Sequence, residues 1–168
     1  MWAAIGYNNK SPLVRIRRRR SDEWVKENDN LGLNEQQYAT EINESCLVPF
    51  IYSQSEPVER IHIWSDGAGY HGTQANYQIY NTYGLKLLPA PPSSPDLNVL
   101  ENAWNTLKSR LWKRFSITER RPHSEDELFE AACEEWEAIS QDTINSWIDS
   151  MPSRISAVVK GKGWHTKW

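Results

Sequence analysis

Two carboxylates in this chain have the surroundings that phosphodiester chemistry requires. Asp66 stands in Ser65-Asp66-Gly67, at the end of the strand-like run Arg60-Ile61-His62-Ile63-Trp64-Ser65. Glu101 lies near the start of a segment in which Leu97, Leu100, Trp104, Leu107 and Leu111 recur every three or four residues. Hydrolysis by a metal pair needs acidic groups from different elements to converge on ions roughly 4 Å apart. A strand end and a helix flanking the core meet that need. Carboxylate oxygens are hard ligands that suit magnesium or manganese, and no cluster of soft ligands favours zinc. Each residue alone also has an ordinary reading. Asp before Gly is common turn chemistry, Glu101 fits a surface helix position, and Asp96 fits the first turn of a helix.

The elements that must position these residues follow from pattern and punctuation. The glycines of Asp66-Gly67-Ala68-Gly69 mark a sharp turn after the strand. A helix is expected from about Thr73 to Tyr83, stopped by Gly84, and then a strand over Leu85-Lys86-Leu87-Leu88. Pro89 to Pro95 cannot be regular structure, because proline lacks the N–H and restrains its predecessor. The helix that follows buries its Leu and Trp stripe, and Glu101, about 100° from Leu100, flanks the core. Ser124 with Glu127 reads as a capping box opening a helix whose apolar face is Leu128, Ala132, Trp136 and Ile139. Further helices run through Ile144, Trp147, Ile148, Met151, Ile155 and Val158, interrupted at Pro152 and stopped at Gly161. At the other end, Trp2 to Tyr7 and Ser11 to Ile16 read as antiparallel strands around an Asn8-Asn9-Lys10 turn. Ser21 to Asn34 reads as a loop, and Glu35 to Phe50 as a helix with Pro49 near its end. Strand, helix, strand is an α/β signature.

At 168 residues the chain supports one domain with a substantial core. A net charge of -3 argues against coating nucleic acid by bulk electrostatics, but the charge is blocked rather than mixed. Arg15 with Arg17, Arg18, Arg19 and Arg20 forms one basic cluster; Lys108, Arg110, Lys113, Arg114, Arg120 and Arg121 form another; Glu125 to Glu137 is acidic. Such clusters are either solvated faces or phosphate-binding patches. Arg17 to Arg20 has the composition of a backbone-binding run, and Trp112 beside Lys113 and Arg114 combines stacking with charge. Cys46 and Cys133 are too far apart for a paired metal motif and too few for a disulfide scaffold. No apolar run approaches the roughly 20 residues that cross a bilayer, and no signal-peptide pattern opens the chain. The Asn43-Glu44-Ser45 sequon is therefore read as chance.

Together the two acidic segments resemble a known family. Trp64-Ser65-Asp66-Gly67-Ala68-Gly69-Tyr70-His71 resembles the second-aspartate motif of mariner-like transposases, of the DDE superfamily. Ser94-Pro95-Asp96-Leu97-Asn98-Val99-Leu100-Glu101-Asn102-Ala103-Trp104 resembles their third-carboxylate motif. Between Asp66 and Glu101 lie 34 residues, the separation of the glutamate-ended branch. Trp2-Ala3-Ala4-Ile5-Gly6-Tyr7 is similar to the strand pair after the first aspartate, and Met151-Pro152-Ser153-Arg154-Ile155 with Gly163-Trp164-His165-Thr166-Lys167 is similar to the C-terminal tail. The chain departs from the family where Gly67-Ala68-Gly69-Tyr70 replaces Asn-Ala-Pro before the histidine, and where Val99 replaces a proline.

The resemblance implies an α/β, ribonuclease H-like domain, a mixed sheet flanked by helices, over residues 1–120. Residues 121–168 would form a helical C-terminal extension of that domain. It implies Asp66 and Glu101 as catalytic metal ligands for magnesium or manganese, with His71, Asp96 and Asn102 near the site. Arg17, Arg18, Arg19, Arg20, Lys108, Lys113 and Arg114 would contact DNA. The first aspartate and its strand would precede Met1, so the chain is expected to be truncated, to bind its metal pair poorly and to be inactive alone. The family reaction is strand cleavage and transfer in DNA transposition, in the nucleus, by a complex that could contain a homodimer. A non-catalytic DNA-binding or protein-interaction module and a functionless relic are the competing readings.

Overall fold

The computed structural model describes residues 1–16, 35–65, 71–88, 90–91, 94–117, 121–164 and 166. The chain divides into two compact units: residues 3–15 with 94–168 (and Met1), and residues 16–93 with Trp2. The expected loop over 21–34 and the Asp66 turn lie outside the described residues.

In the first unit, β1 (Ile5–Gly6) pairs antiparallel with β2 (Asn9–Lys10), Ile5 opposite Lys10. The turn is Tyr7–Asn8, tighter than the expected three-residue turn, and Asn8 takes a φ of 68°. Asparagine tolerates that left-handed conformation well, so the strand pair closes one residue earlier and Asn9 and Lys10 join the ladder. Four helices complete this unit: α4 (Leu100–Ile117), α5 (Glu125–Glu137), α6 (Gln141–Asp149) and α7 (Met151–Lys160). Their core gathers Ala3, Leu13, Ala103, Leu107, Ala132 and Trp136 with Ile139 and Ile144. The Trp136 indole is fully buried, stacks on Trp104 at 5.8 Å and donates its N–H to the Ser11 carbonyl at 2.8 Å. That bond satisfies the one polar atom of a side chain whose burial is otherwise pure hydrophobic gain.

The hairpin is fastened to the ends of α5 and α6 by polar contacts. Lys10 places its ammonium 2.8 to 2.9 Å from the carbonyls of Trp136, Glu137 and Ile139, where α5 has run out of its own N–H donors. Asn145 of α6 exchanges two hydrogen bonds with Asn8, and Gln141 donates to the Gly6 carbonyl. At the other end of α5, Ser124 accepts from the Glu127 N–H as expected, but the Glu127 carboxylate reaches back to the N–H of His123 rather than that of Ser124. Leu128, expected on the buried face, is 39% exposed. It sits in the first turn, and the stripe enters the core only from Ala131 and Ala132 onward. The break before α7 falls at Ser150, with Pro152 inside the first turn where no N–H is missed. Gly161 caps α7 with ordinary helical φ, and the left-handed residues come later, at Lys162 and Gly163.

In the second unit the expected helix over 35–50 exists but is not α-helical throughout. Glu35–Gln37 (α1) leads into a π-helix over Tyr38–Leu47, then α2 (Val48–Tyr52). The Val48 N–H reaches the Asn43 carbonyl five residues back, and the Ser45 hydroxyl and Cys46 thiol bond to the carbonyls of Thr40 and Glu41, also five back. Inside lies a polar network: Asn43 donates to Asn76 and to the Tyr80 hydroxyl, and Asn76 donates to Thr73. Tyr80 and Asn76 come from α3 (Gln74–Thr82), which Thr73 precedes and Gly84 (φ 64°) follows. β3 (His62–Trp64) pairs parallel with β4 (Lys86–Leu88) across this helix, His62 opposite Lys86. No helix among the described residues is long and apolar enough to cross a membrane.

Candidate active site

Glu101 stands in the first turn of α4, and local chemistry explains why the helix begins there. Pro95–Leu97 forms a single 3-10 turn, and Asn98 then caps α4: its side chain accepts from the Leu100 N–H at 3.2 Å, and its carbonyl from the Glu101 N–H at 3.1 Å. Leu100 and Trp104 pack against the core, Ala103 and Leu107 are buried in it, and Glu101 is half-buried beside them. The Glu101 carboxylate makes no side-chain hydrogen bond or ion pair among the described residues.

Asp96 is held quite differently. Its side chain is buried, and one carboxylate oxygen accepts from both the N–H and the hydroxyl of Thr166, at 2.8 and 2.6 Å. Its carbonyl accepts from Arg154 at 2.9 Å. The same guanidinium donates to the Asn102 side-chain oxygen at 2.9 Å, and to the Ser150 hydroxyl at 2.7 Å. Arg154, on α7, is 1% exposed. Burial lowers its pKa, and the Asp96 charge works against that fall. Asp96 and Asn102 are thus committed to contacts within the fold that leave Glu101 as the open acid of this segment.

On the side of the second motif, Asp66 lies outside the described residues. Its flanks are placed: the Ser65 hydroxyl and His71 Nδ1 share a hydrogen bond of 2.7 Å, and the His71 ring lies 4.7 Å from that of Tyr38 in the π-helix. The Asp66 turn is therefore bracketed by a bonded pair.

The basic residues sort into two sets. Arg114 is turned toward α5, with Glu134 at 2.6 Å and Glu135 at 3.5 Å, and these bonds raise its pKa. Arg110 lies 4.0 Å from Glu135, and Arg15 pairs with Glu125 and Asp126. Lys108 and Lys113 point outward from α4 with no ion pair among the described residues, and Trp112 between them is 78% exposed. A shallow groove along this helix is lined by Asn102, Asn105, Thr106, Ser109, Arg110 and Lys113. Arg17 to Arg20 lie outside the described residues. No three Asp, Glu, His or Cys side chains gather into a metal-sized cluster among the described residues.

The family model described as "DDE superfamily endonuclease" matches residues 25–121, which include both Asp66 and Glu101. This chain belongs to that family. Within the DDE endonucleases, it is 38% identical over 84 residues to the Tc1 transposase of Caenorhabditis elegans and 33% identical over 84 residues to the Tcb1 transposase of Caenorhabditis briggsae. Each alignment covers 50% of this chain and 29% of the relative, so the chain spans less than a third of those proteins. Its fold is that of the crystallised catalytic domain of Mos1 mariner transposase, with a TM-score of 0.64 at 19% identity, covering 81% of this chain and 65% of that one. The DDE domain here is therefore transposase-derived and ribonuclease H-like, as the two motifs implied.

Arg154 is the structurally committed residue that sequence reasoning missed. The motif Met151-Pro152-Ser153-Arg154-Ile155 was legible as part of the tail, but nothing in its spacing says that the arginine points inward. The available signal was a cation in the middle of a short helix whose other residues, apart from the terminal Lys160, are small or apolar.

Proposed function

We propose that this DDE domain uses Glu101, together with Asp66, to hold magnesium or manganese and act on the phosphodiester backbone of DNA. The observation that carries the reading is the state of the Glu101 carboxylate: half-buried at the start of a well-anchored helix, and committed to no partner among the described residues. A buried carboxylate with a structural role has its hydrogen bonds met within the fold, as Asp96 does with Thr166. A carboxylate held in place by its backbone but left without an internal partner suits a hard cation. When bound, such a metal pair activates the attacking water and stabilises the leaving oxygen.

The chain's own residues supply position and substrate contact. On α4, Glu101, Asn105, Lys108 and Trp112 fall on one side at helical spacing, i, i+4, i+7 and i+11. Lys108 and Lys113 contact phosphates in this reading, and Trp112 stacks on a base. Arg114, engaged with Glu134, contributes to the fold rather than to DNA. Arg17 to Arg20 remain candidates for a second backbone contact. The Ser65–His71 hydrogen bond joins the residues that flank Asp66 in the sequence. A nuclear transposition complex, containing two copies of this domain, is the setting in which such chemistry operates.

The test is anisotropy of a labelled DNA duplex, titrated with the chain in the presence and absence of Mn²⁺. A cation held by Glu101 would offset the negative charge of the DNA backbone, so Mn²⁺ should tighten binding by the parent chain and have no such effect on Glu101→Gln. Equal Mn²⁺ effects on both proteins overturn the reading.

A further inference from the structure

We propose that Arg154 is a positioning residue for the candidate site, a clamp that fixes where Glu101 stands. The inference rests on the reading of Glu101 as a metal ligand, and its geometry is independent of that reading. One guanidinium grips both ends of a seven-residue stretch: the carbonyl of Asp96 at 2.9 Å and the side-chain oxygen of Asn102 at 2.9 Å. Glu101 is the residue next to the second grip. Between the grips the chain passes from a 3-10 turn through Asn98 into α4, a change of helical form whose hydrogen bonds are all local, spanning two or three residues each. The guanidinium adds to them two long-range bonds, one at each end of the stretch.

Several features make this a built arrangement rather than an incidental contact. Arg154 is almost wholly removed from solvent, and burying a guanidinium is costly unless its donors are used. Its three nitrogens are spent on three different acceptors, with Nε on Ser150 just before α7. Asp96 is held a second time from the tail, where Thr166 donates twice to its carboxylate. The planar fork is needed because two acceptors must be bridged at once, which a lysine ammonium cannot do with the same geometry. A carboxylate whose helix start drifts by an ångström loses metal affinity, as when the groups that orient metal ligands are removed.

The experiment uses the full chain as Arg154→Lys, which keeps the buried charge beside Asp96 but breaks the bridge. Hydrogen exchange reads the clamp directly. The amides of residues 97, 98, 101 and 102, whose bonds close this stretch, exchange about tenfold faster in the variant, and the α5 amides keep their protection. Mn²⁺ binding, followed by the loss of the free-ion electron paramagnetic resonance signal, reads the consequence. Arg154→Lys weakens it about tenfold in the parent and leaves it unchanged in the Glu101→Gln background. Acceleration throughout α5 together with 97–102, or no change at 97–102, overturns the clamp. A weakening of the same size in both backgrounds shows that Arg154 acts otherwise than through Glu101 and also overturns it. If Glu101→Gln alone leaves Mn²⁺ binding intact, the ligand reading falls, and with it the positioning role, while exchange still decides whether the clamp exists.

Discussion

The contrast between Asp96 and Glu101 yields a prediction in which two acids five positions apart in one motif behave as opposites. Asp96→Ala removes the acceptor of two hydrogen bonds from Thr166, and takes a counter-charge away from the buried Arg154. Hydrogen bonds to a charged group contribute about 1.5 to 3 kcal/mol. The two here share one oxygen and hold a residue close to the chain's end, whose ordering costs part of the gain. A net loss of about 3 kcal/mol is therefore expected, equivalent to a fall in Tm of about 6 to 10 °C for a chain of this size. Glu101→Gln removes no contact among the described residues, so its stability should stay within about 0.5 kcal/mol of the parent. Calorimetry on the two variants measures the first half of the prediction and Mn²⁺ titration the second: Glu101→Gln loses metal binding at unchanged Tm, and Asp96→Ala loses Tm first. A Glu101→Gln variant that melts as early as Asp96→Ala would mean that Glu101 has a structural partner. Loss of Mn²⁺ binding in Asp96→Ala at full thermal stability would make Asp96 a ligand and refute the assignment.

Three further outcomes follow from the same contacts. Lys10→Met deprives three carbonyls at the end of α5 of their cation, and should cost about 2 kcal/mol in urea denaturation; a loss below about 0.5 kcal/mol would show that water replaces the ammonium freely. Lys108→Ala and Lys113→Ala should each lower the slope of log K for duplex DNA against log salt by about 1, whereas Arg114→Ala should mainly lower stability through lost contact with α5. An unchanged slope in both lysine variants would remove the outer face of α4 from the DNA contacts. Burial raises the pKa of Cys46 and of Cys133, the latter with help from Glu137 and Glu130, and burial also raises that of Tyr80. The unfolded chain therefore ionises first, so stability should fall as pH rises above the ordinary thiol value of about 8.5 and again above about 10 for the phenol. Alkylation of both thiols at neutral pH should be slower than that of a free thiol, and stability constant from pH 7 to 10 would refute the linkage.

Local signals survived into the structure where a residue's role is settled by its near neighbours. Ser124 does cap α5, Gly84 does take a left-handed φ after α3, and the Leu and Trp stripe of α4 does face the core. The two family motifs were legible for the same reason, since each is contiguous, and the family match spans them both. What the sequence concealed depends on partners far along the chain. Arg114 looks like every other cation of its cluster until Glu134 comes alongside it, and Lys10 reads as a turn residue until it is found 126 positions away from the Trp136 carbonyl it caps. The π-helix is hidden more deeply, because apolar spacing near four residues fits either register, and the choice is made by where Asn43 must meet Asn76 and Tyr80.

The same distinction explains why the candidate site is only half visible from sequence. A carboxylate that ligates a metal must keep a coordinating oxygen open, so it is recognised in part by what it does not bond. The residues that hold it in place must be fully bonded, so they look structural and attract no notice. On the proposed reading Glu101 is of the first kind, and Arg154, Asn102 and Asp96 are of the second. In the third-carboxylate motif, then, the polar residues around the acid are tied into the fold at both ends of the stretch. This accounts for a motif being longer than the single carboxylate its chemistry needs. A substitution such as Val99 for proline, between the two grips of Arg154, is tolerable on this view, because the stretch is held from its ends and does not depend on a proline for its stiffness.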